Sequence, residues 1–189
     1  GMVDREHFDE FLRARAVSNG ASRVTGTYLR IEREAEATHV IYRDKATGAE
    51  MRLTTRLVIG ADGARSRVAQ RLGLGRVKQF LHGVEYEFDG VALREPDALH
   101  CFISKRFAPG YLGWMAQTPT GVQAGLARRY RPGNTQAPDM AGFLRHVAPM
   151  MGLSVTRSPD SIRAGLIPCG GPVGPMRGDD VVLVGDAAG

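Results

Sequence analysis

The sequence has few cysteines and no long apolar run. Its two cysteines, Cys101 and Cys169, are far apart and neither belongs to a CxxC pair. A disulfide framework is therefore not expected, and a reducing compartment, the cytoplasm, is the default. We expect both cysteines to be small buried side chains rather than nucleophiles or ligands. No stretch approaches the roughly 18 apolar residues of a membrane helix, and the N-terminus has no apolar signal core.

Several motifs of other chemistries are also missing. There is no Gly-x-Ser-x-Gly elbow and no phosphate-binding loop of the Gly-Lys-Ser/Thr kind, which argues against an α/β hydrolase and a P-loop NTPase. No two histidines stand at metal-ligand spacing, so no metal site is predicted. The scattered histidines are His7, His39, His82, His100 and His146.

The charge is not concentrated in one segment. The net charge is +5 and arginine far outnumbers lysine, which can indicate a nucleic acid, a membrane surface or an anionic ligand as partner. The arginines are dispersed, however, and no basic stripe is interleaved with aromatic residues. We therefore expect solvated charges and no nucleic-acid partner.

What is present is the pattern of a folded α/β protein. Of the 189 residues, 43% are hydrophobic, which is enough for one ordinary core or two small ones. Helical spacing of apolar residues predicts an amphipathic helix over about 4–19, with Phe8, Phe11 and Leu12 on its apolar face. Alternating segments predict strands over 23–31, 39–43 and 50–53, the last two joined by a turn.

The middle of the chain reads as an antiparallel sheet. Strand-like segments over 84–88, 99–103, 111–116 and 122–128 are separated by short Gly- and Pro-containing turns, as in antiparallel sheets. A helix is predicted over 138–149. The segment 167–176 is rich in glycine and proline and is interpreted as a linker or an extended loop.

Two buried strands end in the same way. Leu57–Gly60 runs into Ala61-Asp62-Gly63-Ala64-Arg65-Ser66 and then a helical pattern to Leu72, and Val181–Val184 runs into Gly185-Asp186-Ala187-Ala188. A short aspartate there can accept hydrogen bonds from ribose or ribityl hydroxyls, and small residues leave room for a diphosphate. The alternative for each turn is an aspartate that only caps a helix. We expect the two strands to be neighbours in one sheet and their turns to converge on one cofactor.

These motifs resemble those of a known superfamily. Residues 57–74 resemble the "DG" motif, and residues 181–189 the "GD" motif, of the FAD-dependent aromatic hydroxylases and geranylgeranyl reductases. Pro109-Gly110-Tyr111-Leu112-Gly113-Trp114, with Gly125-Leu126, is similar to the geranylgeranyl reductase-like branch. Met115-Ala116-Gln117 stands where that branch usually has an aromatic residue, proline and lysine. This departure weakens the expectation of an isoprenoid substrate.

The resemblance implies an α/β fold with part of an FAD-binding domain and an antiparallel-sheet substrate domain. It assigns residues 1–75 and 171–189 to the flavin domain and 76–170 to the substrate sheet. Asp186 would bind the ribityl hydroxyls, Gly185 and Ala187 would lie near the diphosphate, and Tyr111 and Trp114 would line the substrate cavity. Near the diphosphate and the path of NAD(P)H it places Asp62 and Gly63, with Arg65 and Ser66 shaping that turn. The cofactor-binding residues that it implies there are Asp62, Gly63, Ala64 and Arg65.

The implied function is an oxidoreductase that reduces or hydroxylates an apolar or aromatic substrate with NAD(P)H. Contact with a membrane surface is implied if the substrate is a prenyl lipid. The superfamily's Gly-x-Gly-x-x-Gly is absent, and about a hundred residues should precede Met2. We therefore expect this polypeptide alone to bind FAD weakly or not at all. The alternative is a non-catalytic domain that holds a lipid or aromatic ligand without flavin.

Overall fold

The computed structural model describes residues 2–35, 37–133, 136–154 and 157–189. The helices are α1 (Arg5–Ser18), α2 (Arg67–Arg71) and α3 (Met140–Val147). The strands are β1 (Gly26–Glu34), β2 (Ala37–Asp44), β3 (Glu50–Thr55), β4 (Val58–Gly60), β5 (Phe80–Asp89), β6 (His100–Phe102), β7 (Gly113–Gln117), β8 (Gly121–Arg129), β9 (Ser161–Pro168) and β10 (Val181–Leu183). Two 3₁₀ turns cover Ala148–Met151 and Gly185–Ala187.

The chain divides into two compact units. The first contains the chain up to Ala14 and Phe80–Ile167, and the second contains Arg15–Gln79 and Pro168–Gly189. The residues up to Ala14 group with the antiparallel sheet. The division into a flavin domain and a substrate domain stays a prediction.

Helix α1 forms where the apolar spacing predicts it, but its apolar face is not packed. Asp4 caps its first turn by accepting from the backbone N–H groups of Glu6 and His7, at 3.0 and 3.2 Å. None of its residues is buried, and Phe8, Phe11 and Leu12 are 44%, 57% and 46% exposed. Periodicity thus predicts the helix correctly, whereas burial depends on partners that periodicity does not specify.

The second unit contains two sheets. β1, β2 and β3 form an antiparallel sheet in that order, and β4 pairs with β10. The Asp44 side chain closes the β2–β3 turn by accepting from Thr47 N at 2.8 Å, which is the expected hairpin. The unit's small core is formed by Val68, Ala69, Val181, Leu183 and Ala187.

An ion pair connects the three-stranded sheet to the start of β10. The Asp180 carboxylate accepts from Arg33 Nη2 at 2.6 Å, Arg33 Nε at 2.9 Å and Thr38 Oγ1 at 2.5 Å. The Asp180 side chain is 14% exposed. The guanidinium and the hydroxyl hold the pKa of Asp180 at about 2, below its usual 3.8. This contact fixes where β10 begins relative to the β1–β2 hairpin.

The first unit is a five-stranded sheet with α3 on one face. Its strand order is β6-β7-β8-β5-β9. Alternate residues of β5, β7 and β8, including Val84, Phe88, Met115 and Leu126, form one core with Phe143 of α3. The opposite face carries the intervening residues. The α/β class with an antiparallel sheet is confirmed.

One strand was missed from the sequence. β9 (Ser161–Pro168) reads Ser-Ile-Arg-Ala-Gly-Leu-Ile-Pro and is largely exposed. Its glycine, alanine and proline disfavour a strand by composition, and an edge position tolerates them because one side of the backbone is unpaired.

Among the helices of the described ranges, none is long and apolar enough to cross a bilayer.

Candidate functional site

The turns Gly60-Ala61-Asp62 and Gly185-Asp186, which we call the two Gly-Asp turns, lie at one edge of one sheet. β10 runs parallel to β4, with Val181 opposite Val58 and Leu183 opposite Gly60. Beyond the strands, Val184 N donates to Gly60 O at 3.0 Å. Parallel strands end at the same edge, where open α/β sheets hold their ligands. The expected adjacency of the two strands is confirmed.

The Asp62 carboxylate is occupied by the protein itself. It accepts from Ser66 Oγ at 2.6 Å, Arg67 N at 2.7 Å and Val68 N at 3.1 Å. Ser66 Oγ in turn accepts from Ala69 N at 2.9 Å and caps α2. The first N–H groups of α2 are therefore satisfied internally. Asp62 caps the helix and orders the turn, so the capping alternative describes it.

The second turn is different, because its carboxylate is free. Asp186 is exposed, and no hydrogen bond or ion pair joins it to any part of the chain that the structure describes. Gly185 has φ of 58°, which favours glycine, and Ala187 is buried at 1% exposure. The 3₁₀ turn is closed by Ala188 N donating to Gly185 O at 2.8 Å. The backbone thus presents the Asp186 carboxylate to solvent as a hydrogen-bond acceptor.

The other residues predicted at the first turn surround Asp62. Gly63 has φ of 81°, and Gly63 and Ala64 are half-buried. Arg65 is exposed and makes no ion pair with the described residues. The first turn therefore offers a guanidinium rather than a carboxylate, and the second a carboxylate rather than a cation.

The glycine- and proline-rich segment packs beside the second turn, which sequence reasoning missed. Val173 N donates to Ala188 O, and Gly75 N donates to Pro175 O, both at 2.8 Å. A groove of about 460 Å³ lies between residues 73–79 and 170–175. Arg76 and Lys78 line it. The density of glycine and proline was the available signal, since it allows backbone segments to approach each other closely.

The two residues predicted for a substrate cavity both lie in the first unit. Trp114 is in β7 on the face opposite α3, and its Nε1 lies 3.4 Å from Gln123 Oε1. Tyr111 precedes the strand and is 46% exposed. Trp114 therefore lies within β7, and Tyr111 lies in the segment that leads into this strand. That they line a cavity remains a prediction.

The cysteine prediction needs correction. Cys101 is exposed and Cys169 is half-buried, and neither forms a disulfide. Cys101 lies on β6 at an edge of the sheet, opposite Trp114. An edge strand leaves such a side chain uncovered, whereas general statistics place cysteine inside. Within residues 2–35, 37–133, 136–154 and 157–189, no group of three His, Cys, Asp or Glu side chains could hold a metal.

Two curated reductases are similar to this chain over its whole length. The chain is 38% identical over its whole length to 47% of the geranylgeranyl diphosphate reductase of Rhodobacter capsulatus. It is 30% identical, again over its whole length, to 48% of the digeranylgeranylglycerophospholipid reductase of Methanocaldococcus jannaschii. The chain thus spans about half the length of these curated relatives.

Solved structures share the fold. A geranylgeranyl bacteriochlorophyll reductase-like protein from Thermoplasma acidophilum matches 97% of this chain with 47% of its own, at a TM-score of 0.82 and 19% identity. An aklavinone-11 hydroxylase, solved with FAD and aklavinone, matches the whole chain with 37% of its own, at a TM-score of 0.71 and 20% identity.

The family model described as "FAD binding domain" matches residues 2–154. This match covers most of the chain and both units contribute residues to it. The resemblance to the hydroxylase and geranylgeranyl reductase superfamily is confirmed, and the chain belongs to the FAD binding domain family.

Proposed function

We propose that this chain forms part of the FAD site of an oxidoreductase that reduces carbon–carbon double bonds of an apolar prenyl substrate. The observation that carries the proposal is the parallel pairing of β4 with β10, which brings both Gly-Asp turns to one edge. FAD, when bound, supplies the hydride chemistry. The chain's own contribution is to bind and orient the cofactor.

Each turn has a distinct part in that site. The free carboxylate of Asp186 accepts hydrogen bonds from the ribityl hydroxyls, and Gly185 and Ala187 leave space for the diphosphate. Asp62 acts through the turn that it caps, which holds Gly63, Ala64 and Arg65 in place. The unpaired guanidinium of Arg65 is suited to a phosphate, and this supports NAD(P)H as the reductant.

Reduction is favoured over hydroxylation by the curated relatives. Both relatives described above carry the word reductase in their names and share 38% and 30% identity with this chain. The likeness to aklavinone-11 hydroxylase is one of fold, at 20% identity. We infer a prenyl substrate for the same reason, and a prenyl lipid would bring the protein to a membrane surface in the cytoplasm.

The cofactor assignment is tested by substitution of Asp186. Equilibrium dialysis against FAD, with Asp186→Asn and Asp179→Asn as variants, compares two exposed aspartates near opposite ends of β10. Loss of a charge-assisted acceptor is expected to weaken FAD binding by about tenfold or more in Asp186→Asn. Asp179→Asn should bind as the unsubstituted chain does. Equal weakening by both variants would refute the assignment.

The reaction type is tested separately. The protein is supplied with millimolar FAD and reduced anaerobically with NADPH, and then geranylgeraniol or an aromatic polyketide is added. Reoxidation of flavin by the prenyl alcohol without oxygen, with a saturated product, supports reduction. Oxygen-dependent hydroxylation of the aromatic compound would instead establish the monooxygenase alternative.

The non-catalytic alternative has its own observation. A pocket of about 390 Å³ in the first unit is lined by apolar side chains that include Tyr86, Phe88 and Leu144. Such a pocket suits a lipid or aromatic ligand held without flavin. A colourless purified protein that carries an apolar ligand, and that retains no flavin absorbance after added FAD has been removed by gel filtration, would favour this alternative.

A further inference from the structure

The five-stranded sheet has a polar row on the face opposite α3, which we call the open face. Strand register places Cys101 opposite Trp114, Trp114 opposite Gly125 and Gly125 opposite Glu85. Gln123 and Glu87 are opposite each other in the next row. Side chains of directly opposite residues in a sheet lie within contact distance on the same face. Four strands therefore contribute to one continuous set of side chains.

The indole of Trp114 lies across Gly125. A Cβ at Gly125 would be 1.9 Å from Cζ2 and 2.0 Å from Cε2 of Trp114, so glycine is required for the ring to lie there. The indole therefore points along the row towards the strand of Glu85. Trp114 Nε1 donates to Gln123 Oε1 at 3.4 Å, which sets the orientation of the Gln123 amide.

Gln123 lies between the indole and a carboxyl group. Its oxygen accepts from Trp114 Nε1 at 3.4 Å, and its side chain lowers the pKa of Glu85 by hydrogen bonding to the carboxylate. An amide whose oxygen accepts from an indole N–H has its NH₂ group left to donate. The direction of donation therefore runs from Trp114 through Gln123 to Glu85.

Two carboxyl groups share one cation at the end of this network. Arg163 Nη1 lies 3.3 Å from Glu87 Oε1 and 4.0 Å from Glu85 Oε1. The side chains of Glu85 and Glu87 are 23% and 25% exposed. Burial raises the pKa of Glu85 above its usual 4.5, and the charge of Glu87 raises it further, while Arg163 and Gln123 oppose the shift.

The first turn of α1 adds charges at the far side of this pair. Asp4, Arg5 and Glu6 line a cavity of about 260 Å³ that also reaches Glu87 and Arg163. Arg5 is paired with Asp9 at 3.1 Å and Asp4 with His7 at 2.7 Å. The side chains of Arg5 and His7 are therefore paired with Asp9 and Asp4. Arg163 is the guanidinium that contacts Glu85 and Glu87.

We propose that Glu85 is a positioning residue that determines which ligands bind to the open face. Through Gln123 it fixes Trp114 across Gly125. The charge of its carboxyl group determines whether this face accepts an apolar chain. This inference rests on the proposed function for its apolar prenyl substrate, and on the resemblance for the placement of that substrate at the antiparallel sheet. It adds the group that sets the polarity of the surface, and it makes ligand affinity depend on the proton held by Glu85.

The direction of that dependence follows from desolvation. An apolar chain laid over the row excludes water from Glu85, and burial of an ionised carboxylate costs more than burial of a neutral carboxyl. The ligand therefore binds the protonated protein better. Affinity falls as the pH rises through the pKa of Glu85 in the free protein, by at most about tenfold per pH unit.

The sequence offers a built-in reporter, because Trp114 is its only tryptophan. Its emission is recorded from pH 4 to pH 9, without ligand and during titration with farnesol, a neutral prenyl alcohol. The unsubstituted protein should show one emission change centred above pH 4.5, the usual pKa of glutamate, and weaker farnesol binding on the alkaline side. Glu85→Gln should show no emission change with pH, and it should bind farnesol equally tightly across the whole pH range.

Glu87→Gln is the matched variant. It removes the neighbouring like charge and leaves Arg163 to Glu85 alone, so the emission change should move to lower pH without disappearing. Far-ultraviolet circular dichroism establishes that each variant is folded, and Glu85→Asp should restore part of the pH dependence.

Two results overturn the proposal: an emission profile that Glu85→Gln does not alter, or farnesol affinity that is independent of pH in the unsubstituted protein. Absence of farnesol binding at every pH also overturns it. None of these results bears on FAD binding at Asp186, which lies in the other unit. Failure of this inference and failure of the cofactor assignment are therefore distinguishable.

Discussion

At the scale of single residues, chemically identical side chains differ by what the fold gives them to bind. Asp62 and Asp186 both follow an apolar strand and a small residue, and the local pattern alone left cofactor binding and helix capping open for each. The structure separates them, since Asp62 accepts three hydrogen bonds from its own turn and helix. A capping bond depends on the path of the following residues, which a local motif does not specify.

Asp180 illustrates how one carboxylate contributes to stability. Its folded-state pKa is about 2, below the usual 3.8, because of Arg33 and Thr38. A depressed pKa contributes stability above the unfolded value, and that contribution is lost as the pH falls from about 4 to 2.

We therefore expect Asp180→Asn to lower the free energy of unfolding by about 1 to 2 kcal/mol at pH 7, since Arg33 is partly screened by solvent. The difference from the unsubstituted protein should shrink below pH 4. Urea unfolding at both pH values measures this, with Asp179→Asn as control. A deficit that is the same at pH 7 and pH 2.5 would contradict the assigned role.

Gly125 provides a second prediction at this scale. Gly125→Ala places a methyl group where the indole of Trp114 now lies, so the ring must move out of the row. Tryptophan emission should shift to the red as the indole becomes more exposed. Gly165→Ala, on β9 of the same sheet with nothing within 4 Å of the added Cβ, should leave emission unchanged. An unshifted spectrum in Gly125→Ala would show that the ring does not lie there.

At the scale of elements, patterns that depend on local packing were predictable and those set by distant partners were not. Apolar runs followed by an aspartate correctly predicted β4 and β10 as neighbours. The expected burial of the first run was wrong, because Leu57 and Ile59 are 52% and 61% exposed, and apolar composition does not specify what covers a strand. β9 was missed, since an edge strand needs no such pattern. The apolar spacing of α1 predicted its helix but not the exposure of Phe8, Phe11 and Leu12.

The turn before α2 provides a prediction for an element. Asp62→Ala removes the acceptor for Arg67 N and Val68 N, and loss of a helix cap typically costs about 1 kcal/mol. Amide hydrogen exchange should accelerate by about fivefold at Arg67 and Val68. It should remain unchanged in β8, which lies in the other unit. Uniform acceleration over the whole chain would instead indicate global destabilisation.

At the scale of the whole molecule, the account depends on two segments distant in sequence that meet through β4 and β10. The glycine- and proline-rich segment 167–176 hydrogen-bonds to residues near both turns. Val173 N donates to Ala188 O, and Gly75 N donates to Pro175 O. Fold class and strand adjacency followed from the sequence. The groove of about 460 Å³ beside the second turn did not, because its shape arises from backbone contacts between residues far apart in the chain.

The most direct test of this convergence is an amide NMR titration of the chain with FAD up to millimolar concentration, which detects weak binding. The account predicts that amides of Gly63, Ala64 and Arg65 shift together with those of Gly185, Asp186 and Ala187, and that one dissociation constant fits both sets. Shifts confined to one turn, or a separate dissociation constant for each, would contradict the claim that both turns hold a single flavin cofactor.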